Sequence, residues 1–198
     1  GSAAAADMDN DGNLDFVIAS KSKHLYIFDQ NGLKTTYNAD KFLMGTPAIG
    51  NLDVDDEFEI VFTGYSSNNK LFVINSDGSD VDGFPYELGE KVKSGVALAD
   101  FNGNGIDDIV VGTDEGRVYL IYDDGRLADG FPHLVADAIQ TAPSVLDING
   151  DKIIFVGTGA VFGIGQDNNL YAINSDGNLR FTVEANKDIK TSVSFLSY

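Results

Sequence analysis

Apolar residues in this chain fall in short runs separated by turns rich in Gly, Asn, Asp and Ser. Residues 46–93 show the pattern most clearly. Residues 46–51 are small and apolar, an acidic loop follows, and residues 59–63 read Glu-Ile-Val-Phe-Thr. After a polar turn at 66–69 come residues 70–75, a loop through Asp77-Gly78, and a last short run at 84–88. β-branched and aromatic runs bounded by turn formers predict strands. No window sustains a 3.6-residue apolar period, so no helix is predicted.

The same order recurs along the chain. An acidic loop starts at Asp7, Asn51, Asp100 and Asp147, at spacings of 44, 49 and 47 residues. A turn ending in glycine keeps the same beat at Asn31-Gly32, Asp77-Gly78, Asp124-Gly125 and Asp176-Gly177. Two markers in phase define units at about 1–45, 46–93, 94–140 and 141–190, with a partial fifth at 191–198. Four short strands per unit of this length predict an all-β chain of β-propeller blades. The run before each acidic loop is built from small residues (3–6, 94–97, 141–144 and 191–194), as strands converging on a propeller axis require. The chain opens and closes at one phase of the repeat, which predicts four four-stranded blades plus one extra inner strand. Such a chain is either a complete small ring, part of a larger propeller, or a protomer whose end strand pairs with a neighbour.

The loops carry the candidate chemistry. The first reads Asp7-Met-Asp9-Asn-Asp11-Gly12-Asn13-Leu-Asp15. The second supplies Asn51, Asp53, Asp55, Glu57 and Glu59, and the third Asp100, Asn102, Asn104, Ile106 and Asp108. Oxygen ligands at alternate positions of a tight loop suit Ca2+, a hard cation that takes about 6–8 oxygens. An EF-hand would need a bidentate Glu at position twelve and flanking helices. Position twelve here is Ile18, Phe62 or Val111, and the carboxylate stands instead at position nine, as Asp15, Glu59 or Asp108. Side chains at positions one, three, five and nine are the expected ligands, with the backbone carbonyl of Asn13, Glu57 or Ile106 at position seven. The fourth loop, with Asp147, Asn149 and Asp151, is two residues shorter and places Phe155 where counting puts the ninth-position acid. It is a doubtful metal site, so about three Ca2+ sites are expected. Ligating carboxylates number four, three and two in the first three loops, which ranks their expected affinity. The competing reading is a set of solvated Asx turns, which favour the same residues.

These loops resemble the FG-GAP or VCBS-type repeats of calcium-binding β-propellers, as in integrin alpha subunits and secreted bacterial proteins. The pattern there is D-x-[DN]-x-[DN]-G-x-x-D followed by an apolar strand. The first and third loops match it throughout, and the second has Asn51 first and Asp56 in place of the glycine. The resemblance covers essentially the whole chain and implies a calcium-bearing propeller.

Composition narrows the function. Lys and Arg number 13 against 31 Asp and Glu, a net charge of -18, which disfavours a nucleic-acid partner. With no cysteine, disulfides, thiolate metal sites and thiol nucleophiles are excluded. No stretch is long and apolar enough to insert in a membrane. Calcium loops of modest charge match an extracellular millimolar supply. The leading expectation is therefore a non-catalytic, calcium-stabilised module, secreted or on the cell surface, for adhesion, carbohydrate or protein recognition, or assembly. One alternative is the propeller of a polysaccharide-degrading, lyase-like enzyme, for which Lys91, Lys93 or Arg117 would supply a base. Another is a structural subunit of an extracellular polymer that self-associates through its chain ends. His24 and His133 stand in no catalytic motif and read as surface residues. The repeated Asp82-Gly83-Phe84-Pro85 and Asp129-Gly130-Phe131-Pro132 read as inter-blade packing, and Val161, Phe162 and Ile164 in a longer turn as a contact.

Overall fold

In the computed structural model, which describes residues 2–159 and 167–195, the strands form four sheets, and within each sheet every strand pairs antiparallel with the next one in sequence. The first sheet holds β1 (Ala4–Ala6), β2 (Asp15–Ala19), β3 (His24–Asp29) and β4 (Gly32–Asn38). The second holds β5 (Ala48–Gly50), β6 (Glu59–Thr63), β7 (Lys70–Ile74) and β8 (Tyr86–Glu87). β9 (Ala97–Ala99), β10 (Asp108–Gly112), β11 (Arg117–Ile121) and β12 (His133–Leu134) form the third. The fourth consists of β13 (Ser144–Ile148), β14 (Asp151–Gly157), β15 (Asn169–Asn174) and β16 (Leu179–Glu184). Among the described residues there is no helix, so none is long and apolar enough to cross a membrane. Val161, Phe162 and Ile164 lie outside the described residues.

Register repeats from sheet to sheet. Ala4 faces Val17, Ala48 faces Val61, Ala97 faces Val110 and Ser144 faces Phe155. The first strands follow one another, β1 beside β5, β5 beside β9 and β9 beside β13. Their small side chains permit that approach. Gly45 shows the demand, since a Cβ there would run into the carbonyl of Ser94.

The core lies between sheets rather than within one. β6 and β10 are buried at all five positions, because alternate side chains face opposite neighbours. Ile60, Phe62, Phe72 and Ile74 join Val17, Leu25 and Ile27 of the first sheet. Val61, Leu71 and Val73 point the other way, to Ile109, Val111, Tyr119 and Ile121 of the third. Val110, Val118 and Leu120 meet Ile154, Val156, Tyr171 and Ile173 of the fourth. A near-continuous apolar run such as 59–63 therefore codes for a strand covered on both faces. Each fully buried aliphatic side chain contributes roughly 1.5–3 kcal/mol. The Asp-Gly-Phe-Pro segments join in. Phe84 and Phe131 enter these clusters, while Gly83 lies against Asp124-Gly125 and Gly130 against Asp176-Gly177.

Candidate metal centre

Each of the first three acidic loops closes one hairpin between the first two strands of a sheet, with Ala6 opposite Asp15, Gly50 opposite Glu59 and Ala99 opposite Asp108. The ninth-position acid is buried in all three, from 0% to 3% exposed. It accepts the N–H of position two in each case: Met8 to Asp15 at 3.3 Å, Leu52 to Glu59 at 2.5 Å and Phe101 to Asp108 at 2.7 Å. That bond cinches the loop and fixes one carboxylate oxygen. Burial raises Asp15, pushes Glu59 up to about 7 (helped by the charges of Asp53 and Asp55), and pushes Asp108 up to about 6.

Chain curvature gathers the remaining acids. In the first loop Asp7 accepts the N–H groups of Asp11 and Gly12, both at 3.0 Å, and Asp11 accepts that of Asn13 at 2.7 Å. Gly12 takes φ +87°, where a side chain would be strained. In the second, Asp53 accepts Asp55 N–H at 2.9 Å and Asp55 accepts Glu57 N–H at 2.7 Å. Carboxylate oxygens of Asp7, Asp9 and Asp11 come within 4.8 Å of one another, as do those of Asp53, Asp55 and Glu59. The Glu57 carboxylate is turned away to Ser76 Oγ, which donates to it at 2.8 Å, leaving only the Glu57 carbonyl for the loop.

Three oxygens in these loops are shut off from solvent without a hydrogen-bond donor: Asp9 Oδ1, Asn51 Oδ1 and Glu59 Oε1. A buried acceptor left unpaired costs about 1–3 kcal/mol, and more when charged. Hard oxygen donors, clustered carboxylates and orphaned acceptors are the features that a divalent cation answers, so the first two loops fit Ca2+.

The third loop is knit differently. Asp100 accepts Gly103 N–H at 2.6 Å and Gly105 N–H at 2.9 Å, and with the Asn104 N–H these hold it below the usual range against the effect of burial. Asn102 and Asn104 turn their amides to Asp123 Oδ1, at 3.3 and 3.1 Å. Asp123 belongs to the turn before Asp124-Gly125 and adds a third carboxylate that the loop's own pattern does not contain. Ile106 contributes its N–H to Asn104 Oδ1 at 2.8 Å.

The fourth loop is a two-residue hairpin. Ile148 pairs with Asp151, and Asn149 and Gly150 take φ of 57° and 88°. Asn-Gly with both φ positive is the preferred tight turn between twisted strands. Asp147 is bridged by Lys152 at 3.2 Å and Asp151 by Arg180 at 2.7 Å, so Asp147, Asn149 and Asp151 do not converge. The register also moves the ninth position. Ile154 opposes Ile173 as Ile109 opposes Ile121, which puts Ile153, not Phe155, in the place of Asp108.

Lys34 is the residue that loop spacing did not expose. It reaches from β4 to Asp9 Oδ2 at 2.7 Å, and the pair is largely shielded, with side chains 23% and 27% exposed. Although burial opposes it, the bond to Asp9 and the charges of Asp15, Asp9 and Glu57 raise Lys34 above its ordinary value. An internal ammonium thus partly neutralises the first loop, the one richest in carboxylates. Of the other polar residues, Arg117 is bound to Glu90 and Glu115, and Lys91 lies over the Tyr65 ring. Lys93 reaches Gln140 at 3.4 Å. His24 Nδ1 and His133 Nδ1 sit 2.9 and 2.8 Å from the carbonyls of Ser22 and Gly177.

Residues 94–121, which contain the third loop and strands β9 to β11, match the FG-GAP repeat family. No curated protein sequence matches the chain. Among solved structures, BBS1N in complex with ARL6DN superposes at a TM-score of 0.69 with 12% identity over 94% of this chain and 57% of that one. The V. cholerae biofilm matrix protein Bap1 gives 0.71 with 20% identity over 93% and 28%, and the Dos1 propeller 0.65 with 10% over 96% and 49%. The chain spans little more than half the length of the first of these and less of the other two. The shared feature is the fold, four antiparallel four-stranded sheets in succession. The chain is therefore an all-β protein with the β-propeller fold that carries an FG-GAP repeat at residues 94–121.

Proposed function

We propose that this chain is a calcium-stabilised propeller module of a secreted or surface-exposed protein, serving protein interaction or adhesion without catalysis of its own. The observation that carries the reading is the set of orphaned buried oxygens, Asp9 Oδ1, Asn51 Oδ1 and Glu59 Oε1, at the same corner of consecutive blades. Asp7, Asp9, Asp11 and Asp15 would hold one ion, and Asn51, Asp53, Asp55 and Glu59 a second. The third loop, with Asp100, Asn102, Asn104 and Asp108, is the weakest candidate because it has two carboxylates only and no buried side-chain oxygen without a donor. When bound, Ca2+ supplies positive charge that relieves repulsion among the loop acids. The chain's own part is to cinch each loop through the ninth-position acid, so that ligands from one hairpin hold two strands at the blade's inner edge.

Recognition fits the same end of the molecule. Between the second and third loops lies an open cleft lined by Asp53, Val54, Asp82, Ile106, Asp123 and Asp124. Val54 is 92% exposed at its rim. An apolar tip ringed by carboxylates suits a partner surface that combines an apolar contact with basic groups. That propellers of this fold occur in a protein complex and in a biofilm matrix is in keeping with this role.

Isothermal titration with CaCl2 tests the reading. Two sites are expected, with Asp9→Ala and Asp53→Ala each removing one. Absence of heat at millimolar calcium, or loss of both sites with either variant, would overturn it.

A further inference from the structure

We infer that the first two acidic loops are coupled, so that an ion held by one strengthens binding at the other, with Met8, Asn10 and the Glu57–Phe58 peptide as the positioning groups. This rests on calcium binding at the loops as proposed above, and the test tells failure of the coupling from failure of the sites.

In the second and third loops, the N–H of position eight is given to the loop before. Phe58 N–H donates to the Met8 carbonyl of the first loop at 2.9 Å, and Asp107 N–H to the Asn51 carbonyl of the second at 2.8 Å. At the first junction Asn10 adds another tie, its side-chain amide donating to the Asp56 carbonyl.

Both ends of the Phe58–Met8 bond lead to expected ligands. Phe58 N–H and the Glu57 carbonyl belong to one trans peptide unit, and planarity points them in opposite directions. Holding the N–H on Met8 therefore fixes the direction of the carbonyl expected to serve the second loop. The next residue is Glu59, with its orphaned Oε1. At the other end, Met8 stands between Asp7 and Asp9, and its own N–H is held by the Asp15 carboxylate at 3.3 Å. Met8 cannot shift alone. Its side chain is fully buried in the cluster that also takes Ile60 and Phe62, just past Glu59. Asn51 repeats the arrangement at the next junction, where its carbonyl accepts Asp107 N–H and its Oδ1 is orphaned.

The sign of the coupling is positive. Repulsion among Asp7, Asp9, Asp11 and Asp15 loosens the empty first loop, and a bound cation removes it. Met8 and Asn10 then stand where the Glu57–Phe58 peptide needs them. Hydrogen-bonded peptide units also polarise one another, so charge on the Glu57 carbonyl strengthens the Phe58 donor. Direct repulsion between two bound ions opposes this, but at about 0.15 M salt it is screened beyond about 8 Å. The strengthening of one hydrogen bond sets the scale, about tenfold in affinity.

Calorimetry with CaCl2 in about 0.15 M KCl reads the coupling from single-site variants. Asp9→Ala empties the first loop, and the second is then expected to bind about tenfold more weakly than in the wild type. Linkage requires Asp53→Ala to weaken the first loop by the same factor. Two sites that ignore each other's loss, or tighten on it, overturn the coupling and leave the calcium sites standing. Absence of heat overturns both. Asn10→Gly deletes one tie while allowing the φ of 54° that Asn10 adopts, and is expected to cut the coupling to about threefold. Undiminished coupling in that variant overturns the assigned route. Amide exchange supplies a readout besides affinity. In Asp53→Ala, where the second loop holds no ion, calcium at the first loop is expected to slow exchange of the Phe58 N–H about tenfold. An exchange rate that calcium leaves unchanged overturns the Phe58–Met8 link.

Discussion

Replacing Glu59 by Gln separates the electrostatic part of the second loop from its shape. Glu59 is fully buried, keeps one oxygen on the Leu52 N–H and has no donor for the other. Burial first, then the charges of Asp53 and Asp55, push its carboxyl from 4.5 up to about 7. A raised acid stabilises the fold below its unfolded value, and that contribution is lost as pH rises through the folded value. At about 1.36 kcal/mol per unit, the loss in metal-free protein amounts to about 3 kcal/mol between pH 4 and pH 8. Gln imitates the protonated acid and does not titrate. Denaturant unfolding in EDTA is expected to show the wild type falling by about 3 kcal/mol more than Glu59→Gln over that range. With millimolar calcium at pH 8 the order should invert, because the ionised acid then has its counter-charge. Parallel stability curves for the two proteins from pH 4 to pH 8 in EDTA would refute the reasoning.

Other expectations follow from the same structure. Lys34→Met removes the ammonium from Asp9, so it should tighten calcium binding to the first loop in calorimetry while lowering metal-free stability by about 1 kcal/mol; weaker binding would contradict the neutralising role. Gly130→Ala drives a methyl into the Asp176 carbonyl between blades and should cost about 3 kcal/mol or more in urea unfolding. Gly12→Ala meets no atom within 4 Å and should show only the backbone strain, about 1 kcal/mol. Leu71→Ala opens a cavity between the second and third sheets and should cost about 2–5 kcal/mol by the same measurement. Asp147→Ala with Asp151→Ala should leave the calcium stoichiometry unchanged, since these acids are spent on Lys152 and Arg180.

The blade repeat could be read from the residues because each physical demand leaves a mark at a fixed distance. Small residues at 94–97 answer the crowded axis, Asp and Asn at 100–104 the tight loop, and the apolar run 109–111 a strand covered on both faces. The features with no local mark depend on neighbours in space. Lys34 stands 25 residues from Asp9, and no local pattern marks it as a counter-charge. Asp123 is similarly remote from Asn102. Phe16 and Ile18 follow the same pattern as Ile60 and Phe62, yet among the described residues they stand 45% and 40% exposed, because burial is decided by the sheet packed alongside and not by the strand's own pattern. In the fourth loop, counting from Asp147 gives Phe155 as the ninth position, whereas the strand register gives Ile153. The Asn149-Gly150 pair carried the better signal, a tight hairpin that shifts Ile153 into the ninth position.

The melting temperature as a function of free calcium bears most directly on the loops as clamps on their blades. Each site filled at one hundred times its dissociation constant adds about 2.7 kcal/mol. For a chain of this length that is about 2–4 °C per kcal/mol. Two sites therefore predict a rise of roughly 10–20 °C from EDTA to saturating calcium, cut by about half in Asp53→Ala. A melting temperature that stays the same in EDTA and in saturating calcium would contradict the account.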